Sequence, residues 1–276
     1  MKRIKVMVNG IPGNVSVIIA KHILADERFY LVPYSLTGPE ITEKILSIKN
    51  VQIGLITPEI RDQKIVAIKE NEGEFICVDY THPKAVNENA EFYCTHNIPF
   101  VMGTTGGDRK RLWETVESSS LSAVIAPNMA KQIVGLQAML EWSAANFPDL
   151  FKGYKLEIKE SHQKGKADTS GTAKAIAKCF KNMGVMFSEE EIIKERDPEI
   201  QKTKWNVPDK YITGHGYHTY RLVSDDNTVS FSFSHNVNGR DVYAKGTLDA
   251  VIYLFQMIKK GKKGRIFNMI DVLKRV

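Results

Sequence analysis

The sequence is poor in the features that staple a chain or anchor it. Its 276 residues contain only three cysteines, Cys77, Cys94 and Cys179. They are odd in number, far apart and in no metal-ligand spacing, so neither a disulfide framework nor a metal site is expected. No apolar run approaches the length that spans a bilayer, and the run after Met1-Lys2-Arg3 is too short for a secretory signal. No internal repeat, low-complexity linker or transit-like segment is evident. These gaps predict a soluble, cytoplasmic protein of a reducing compartment, with a bacterial source favoured. The net charge of +6 suits anionic partners, but basic residues are scattered apart from Lys259-Lys260 and Lys262-Lys263-Gly264-Arg265. Neither nucleic acid nor membrane is therefore expected as a partner.

What is present is an ordinary globular composition, 43% hydrophobic and 25% charged, enough to bury one large core or two smaller ones. Ile4 to Val8 is a β-branched apolar run ending in Asn9-Gly10, and Val15 to Leu24 follows with apolar residues at helical spacing. Tyr30 to Leu36, Val51 to Ile56, Phe75 to Tyr80, Phe100 to Met102 and Ala123 to Ala126 also read as buried strands, most of them separated by helix-capable segments. The alternation predicts a Rossmann-like, doubly wound parallel sheet of the α/β class.

After Pro127-Asn128 the pattern changes. A helix over Ile133 to Asn146 precedes strands near Lys155 to Glu160, Tyr217 to Val223 and Thr228 to Asn236, the last two joined across Asp225-Asp226-Asn227. This predicts an α+β domain with a mixed or antiparallel sheet. Thr247 to Lys260 is again helical. The expected division is 1–130 for dinucleotide binding, 131–238 for substrate binding and oligomerisation, and 239–276 for a return to the first domain.

The first turn, GIPGNVS (Gly10 to Ser16), is a variant of the dinucleotide fingerprint. Gly10 permits a tight turn, Gly13 permits close approach of backbone to a pyrophosphate, and the helix start supplies positive dipole. The plain alternative is a glycine turn that only reverses the chain. No acid stands at the end of the second strand in PYSLTGPE, where an NAD-selective enzyme places one; Ser35 and Thr37 are compatible with a 2′-phosphate, although no arginine accompanies them. NADPH and NADH both remain open, with a lean to NADPH. VDYTHP (Val78 to Pro83) and MGTTGGD (Met102 to Asp108) fall at the C-terminal ends of strands, where open parallel sheets bind ligands.

The densest chemistry lies in ESHQKGKADTSGTAKA, Glu160 to Ala175. Asp168 to Thr172 reads as a helix start, whose free N–H groups, hydroxyls and nearby Lys164 and Lys166 suit a small carboxylate. His162 and Lys166 are candidate proton donors. A surface loop with an ordinary cap explains each residue alone, but not their convergence.

At this segment the chain resembles the dihydrodipicolinate reductases, and their plant-like branch in particular. VMVNG, VDYTHP, MGTTGGD, APNMAKQIV (Ala126 to Val134), GHGYH (Gly214 to His218) and FSHNVNGRDVYAKGTLDA (Phe233 to Ala250) extend the likeness along nearly the whole chain. The resemblance implies NAD(P)H-dependent reduction of dihydrodipicolinate to tetrahydrodipicolinate. By motif, His162 and Lys166 match the family's proton donors, Ser170, Gly171 and Thr172 its carboxylate site, and Arg240 an arginine near the substrate. Gly10 and Gly13 match the pyrophosphate turn, while Thr81, Gly103, Thr104, Thr105, Pro127 and Asn128 match the nicotinamide crevice. Asn14 stands where the family usually has Lys or Arg, and Ser16 where it has glycine. The family also implies a homo-oligomer, a tetramer or dimer. The competing readings are a non-catalytic NAD(P)-sensing regulator, which has no need of His162 and Lys166, and a related dehydrogenase acting on another small carboxylate.

Overall fold

A computed structural model describes residues 3–274, so the opening Met1-Lys2 lies outside the described residues. The chain forms two compact units, one made of residues up to Lys131 together with those from Asp241 onward, the other Gln132–Arg240.

The first unit opens with strand β1 (Ile4–Asn9) and helix α1 (Asn14–Leu24). In α1, Ser16, Ile19, Ala20 and Ile23 are buried, a helical stripe facing the sheet. The single strand expected over Tyr30 to Leu36 is instead two, β2 (Phe29–Leu31) and β3 (Tyr34–Leu36). Pro33 lies between them and has no N–H to continue a ladder. β3 leaves the main sheet to pair in parallel with β5 (Val51–Ile56), which pairs antiparallel with β4 (Ile45–Ile48). Val51 to Ile56 therefore belongs to a separate three-stranded sheet. Its Gly54 leaves room for the Tyr34 ring, which would stand 3.0 Å from an added β-carbon. Helix α2 (Arg61–Glu72), β6 (Ile76–Asp79), α3 (Val86–Thr95), β7 (Phe100–Met102), α4 (Arg109–Glu117) and β8 (Ala123–Ile125) complete this stretch. β6, β7 and β8 are buried throughout, as parallel strands covered on both faces must be.

The second unit contains α5 (Lys131–Asn146), β9 (Tyr154–His162), α6 (Gly171–Asn182), β10 (Ile193–Glu195), α7 (Pro198–Thr203), β11 (His215–Ser224) and β12 (Ser230–Asn238). Its four-stranded sheet runs β10-β9-β11-β12. β11 is antiparallel to β9 and β12, and β10 is parallel to β9, giving a mixed sheet. One face packs Leu156, Ile158, Tyr220 and Leu222 against Ala173, Ile176, Ala177 and Phe180 of α6. Phe233 stacks on Tyr220 from that side and is partly buried against the core, while Phe231 packs near Phe151 and stays 48% exposed.

The chain then re-enters the first unit with α8 (Asp241–Lys259), β13 (Ile266–Phe267) and α9 (Met269–Lys274). α8 starts before the helix expected from Thr247. A β-carbon at its Gly246 would overlap the Met129 carbonyl, so glycine is what lets the helix pack there. β13 adds an edge to a six-stranded sheet of order β13-β8-β7-β6-β1-β2, parallel at every pairing.

Candidate active site

In the first unit, the turn after β1 is held by backbone. Gly10 has φ +94, a conformation that favours glycine, and its carbonyl accepts from Gly13 N at 2.7 Å. A β-carbon at Gly10 would overlap the Tyr80 carbonyl, and one at Gly13 would lie 2.7 Å from the Gly10 oxygen. α1 starts at Gly13 with no side-chain cap and no acid in its first turn, and Pro12, Gly13 and Asn14 are exposed. An exposed, uncapped helix start of this kind fits the diphosphate of a dinucleotide. Ser16 is buried and its hydroxyl donates to the Asn9 carbonyl at 3.0 Å, so it ties the helix to the strand that precedes it.

Thr81 and Thr104 are organised by a residue the sequence reading did not single out. The buried Asp79 carboxylate, at the end of β6, accepts from the hydroxyls of Tyr93 (2.7 Å), Thr104 (2.7 Å) and Thr81 (2.8 Å). Asn89 Nδ2 (3.0 Å) and Thr81 N (3.1 Å) complete its shell. Thr81 N also donates to Thr104 Oγ1 at 3.0 Å, so the two threonines form one rigid element. The available signal was an acid closing an otherwise apolar strand. Gly103 lies against Tyr80, whose ring would overlap a β-carbon there. Thr105 and Pro127 are exposed, and Asn128 accepts from Ala130 N at 2.9 Å where α5 begins.

Ser35 requires correction as a ligand-facing residue. It is fully buried, its hydroxyl accepts from Ile11 N at 3.2 Å and donates to Leu36 O at 3.2 Å, and so it supports the glycine turn from within. Thr37 is also buried, with its N–H paired to Ile56 O. Glu40 folds its carboxylate back over Gly38, just beyond β3.

The second unit holds the residues expected to receive a carboxylate. Ser170 caps α6, its hydroxyl accepting from Thr172 N at 3.2 Å, and Gly171 is exposed with open space where a β-carbon would stand. Lys166 Nζ donates to Asp168 Oδ1 at 2.9 Å. Behind the helix start is a fully buried carboxylate, Glu160, which accepts from Ser170 N at 2.9 Å and Arg196 Nη2 at 2.5 Å. Burial alone would raise the Glu160 pKa; facing His218 and Arg196, with the Ser170 N–H, bring it down to about 2.

Three histidines line one face of the sheet, His162 on β9, His218 on β11 and His235 on β12. Ring centroids lie 5.1 Å apart for His162 and His218 and 4.5 Å for His218 and His235. Burial first, then the charge of His218, lowers the pKa of both His162 and His235 to about 4, so each is neutral near pH 7. His162 Nδ1 is 3.1 Å from the His215 carbonyl, which can only accept; the neutral ring therefore carries its proton on Nδ1. Nε2 is left buried, with a lone pair and no protein partner. Gly216, opposite His162 in the ladder, leaves space for this ring. Arg240 lies at the same end of the sheet, its Nη1 3.6 Å from the β-carbon position of Gly214.

Glu160, His162 and His218 also bring three potential metal-ligand atoms within 4.8 Å of one another, a grouping that sequence spacing did not reveal. His218 Nε2 is 3.7 Å from Glu160 Oε2, too long for a hydrogen bond. Arg196 already occupies the other carboxylate oxygen, and its positive charge opposes a cation there.

Comparison with known proteins matches residues 4–129 to the family described as "Dihydrodipicolinate reductase, N-terminus" and residues 133–273 to "Dihydrodipicolinate reductase, C-terminus". The chain is 45% identical over 272 residues to 4-hydroxy-tetrahydrodipicolinate reductase 2, chloroplastic, of Arabidopsis thaliana, covering 98% of this chain and 77% of the relative. It is 40% identical over 269 residues to the probable reductase 2, chloroplastic, of Oryza sativa subsp. japonica, covering 98% and 82%. In fold it is similar to the dipicolinate-bound dihydrodipicolinate reductase of Paenisporosarcina sp. TG-14, with TM-score 0.66, 19% identity and coverage of 97% and 98%. The cytoplasmic placement expected from the sequence is overturned, since these plant relatives are chloroplastic enzymes. That expectation rested on the few unpaired cysteines and on the absence of a signal or transit-like segment, neither of which reports the compartment of these relatives.

Proposed function

The chain belongs to the dihydrodipicolinate reductase family, and from that premise we propose how its own residues perform the reduction. It is an NAD(P)H-dependent oxidoreductase of lysine and diaminopimelate biosynthesis. It reduces dihydrodipicolinate, formed from 4-hydroxy-tetrahydrodipicolinate by loss of water, to tetrahydrodipicolinate. The observation that carries the residue roles is the α6 start, an anion cradle beside Lys166 and the unpartnered Nε2 of His162.

In this reading residues 1–130 and 239–276 bind the dinucleotide, and 131–238 bind the substrate and mediate oligomerisation. The first turn holds the diphosphate on the α1 amides, with Gly10 and Gly13 allowing the approach, and Thr81 with Gly103 to Thr105, Pro127 and Asn128 lines the nicotinamide side. The reduced nicotinamide, when bound, supplies the hydride. One substrate carboxylate is held by the Ser170 to Thr172 segment, and Arg240 serves the other. Hydride addition leaves an electron-rich centre that must be protonated, and Lys166 or protonated His162 provides the proton. Neutral His162 has no proton on Nε2 to give; a bound dicarboxylate raises its proton affinity and turns Nε2 into a donor.

Both nucleotides are accepted in this reading. Uncharged Asn14 provides no cation for a 2′-phosphate, and Glu40 near the end of β3 favours ribose hydroxyls, so the lean towards NADPH is reduced to discrimination below about 10-fold. The protein assembles as a homo-oligomer, with light scattering of the purified chain as the check. To test the roles, absorbance loss of NADPH and of NADH is followed with substrate generated in place by the preceding synthase. His162→Ala and Lys166→Ala are each expected to lower turnover about 100-fold. Wild-type rates in both variants would remove these residues from the chemistry.

A further inference from the structure

The segment between β9 and α6 carries Lys166 and Ser170, yet little core holds it in place. Lys164, Gly165, Ala167 and Asp168 are exposed, and Gln163, Lys166 and Thr169 are only partly buried. A loop with so little apolar anchorage keeps one conformation only through polar ties to its backbone.

Those ties converge on Arg196, a residue 36 positions from Glu160 in the chain. Its Nε donates to the Lys166 carbonyl at 2.7 Å, and its Nη2 to Glu160 Oε1 at 2.5 Å and to the Asp168 carbonyl at 3.4 Å. Nη1 donates to the Glu195 carbonyl at 2.9 Å, which fixes the guanidinium from its own strand. Glu160 in turn accepts from Ser170 N, so one guanidinium grips the loop at two carbonyls and, through a shared carboxylate, at its end. β10 makes this possible: Lys194 pairs with Glu160 and Glu195 with Ser161, so Arg196 emerges where β9 leaves the sheet. Gln201 adds a bond to the His162 carbonyl at 2.7 Å. A rigid planar fork serves all these directions at once, whereas a lysine ammonium is a single point charge on a flexible stem.

We propose that Arg196 is a positioning residue for substrate recognition: it sets the Lys166–Ser170 segment in the geometry that receives a carboxylate, and it touches neither substrate nor nucleotide. The proposal rests on the reductase reading above and assigns that site a residue from outside its motifs.

The test uses the full chain with Arg196→Lys and Arg196→Gln. Arg196→Lys keeps a charge opposite Glu160 and is the variant expected to fold. Expected are a rise of about 10- to 100-fold in KM for the dicarboxylate and in the inhibition constant of pyridine-2,6-dicarboxylate, the scale of a misplaced binding group. The KM for nucleotide stays within about twofold, because only substrate recognition is disturbed. Trypsin cleavage after Lys164 or Lys166 accelerates in both variants, a readout independent of catalysis. Unchanged carboxylate constants in Arg196→Lys, an equal rise in nucleotide KM, or unchanged cleavage would each overturn the proposal. If neither variant folds, hydrogen exchange in the wild type decides: slow Lys166 and Ser170 amides support it, and fast ones reject it. A wild type inactive towards the dicarboxylate would sink the reductase reading, while cleavage and exchange still report whether Arg196 fixes the segment.

Discussion

The two ligand ends are built from different materials. At the proposed nucleotide end the available groups are mainly backbone: a glycine at φ +94, an uncapped helix start and a loop whose two threonines are tied to one buried acid. At the proposed carboxylate end a helix start is surrounded by side chains from β9, β11, β12 and the segment after β10, gathered around a buried Glu160. A backbone site depends on steric permission at a few glycines. A side-chain site depends on charge compensation, because a buried carboxylate is tolerated only while its partners remain.

The largest expected effect follows from breaking that compensation. Glu160→Ala leaves the Arg196 guanidinium, whose side chain is only 18% exposed, without its partner, and removes the acceptor of Ser170 N. Loss of one member of such a pair costs about 3–5 kcal/mol. Urea denaturation is expected to show that loss, with nucleotide affinity of the remaining folded protein unchanged. A loss below about 1 kcal/mol would mean that the pair is solvated like a surface bridge.

Gly10→Ala applies the opposite perturbation. The new β-carbon meets the Tyr80 carbonyl in a conformation that costs an L-residue about 1–2 kcal/mol before any clash is counted. Calorimetric titration is expected to show NADPH and NADH binding weakened by about 10-fold or more, since 1.4 kcal/mol is one decade, while affinity for pyridine-2,6-dicarboxylate is retained. Weakening of the dicarboxylate instead would place Gly10 in the wrong half.

This contrast also explains what could be read from sequence. Gly10, Gly13 and the apolar strands announce themselves locally, and α6 was legible because Ala173, Ile176, Ala177 and Phe180 repeat at helical spacing behind a serine cap. Arg196 was not legible, because only the parallel return of β10 brings it to Glu160. His235 meets His218 through a cross-strand register that no single-strand pattern encodes. The split of β2 from β3 was signalled by Pro33, but an apolar run on both sides masked it. Ser35 was read as compatible with a 2′-phosphate because sequence gives its position near the end of a strand and not the direction of its hydroxyl.

The smallest expected effect concerns acid, and it again separates the two ends. His162 and His235 are held near pKa 4 by burial and by their shared neighbour His218, below the 6.5 of an unfolded histidine. As pH falls from 6.5 to 4 the unfolded chain takes up protons that the folded one refuses, so stability present above pH 6.5 is lost across that window. Glu160, ordinarily near 4.5 and held at about 2 by partners that outweigh its burial, extends the loss from pH 4.5 down to 2. After solvent screening each histidine accounts for about 1 kcal/mol. Replacing the half-buried His235 by leucine removes one titrating group and leaves both candidate proton donors in place. Its denaturation midpoint is expected to fall less steeply than that of the wild type between pH 6.5 and 4, with the two curves parallel above pH 7. Parallel curves throughout would show that His235 titrates normally, and the acid sensitivity of this unit would then have to come from His162 and Glu160.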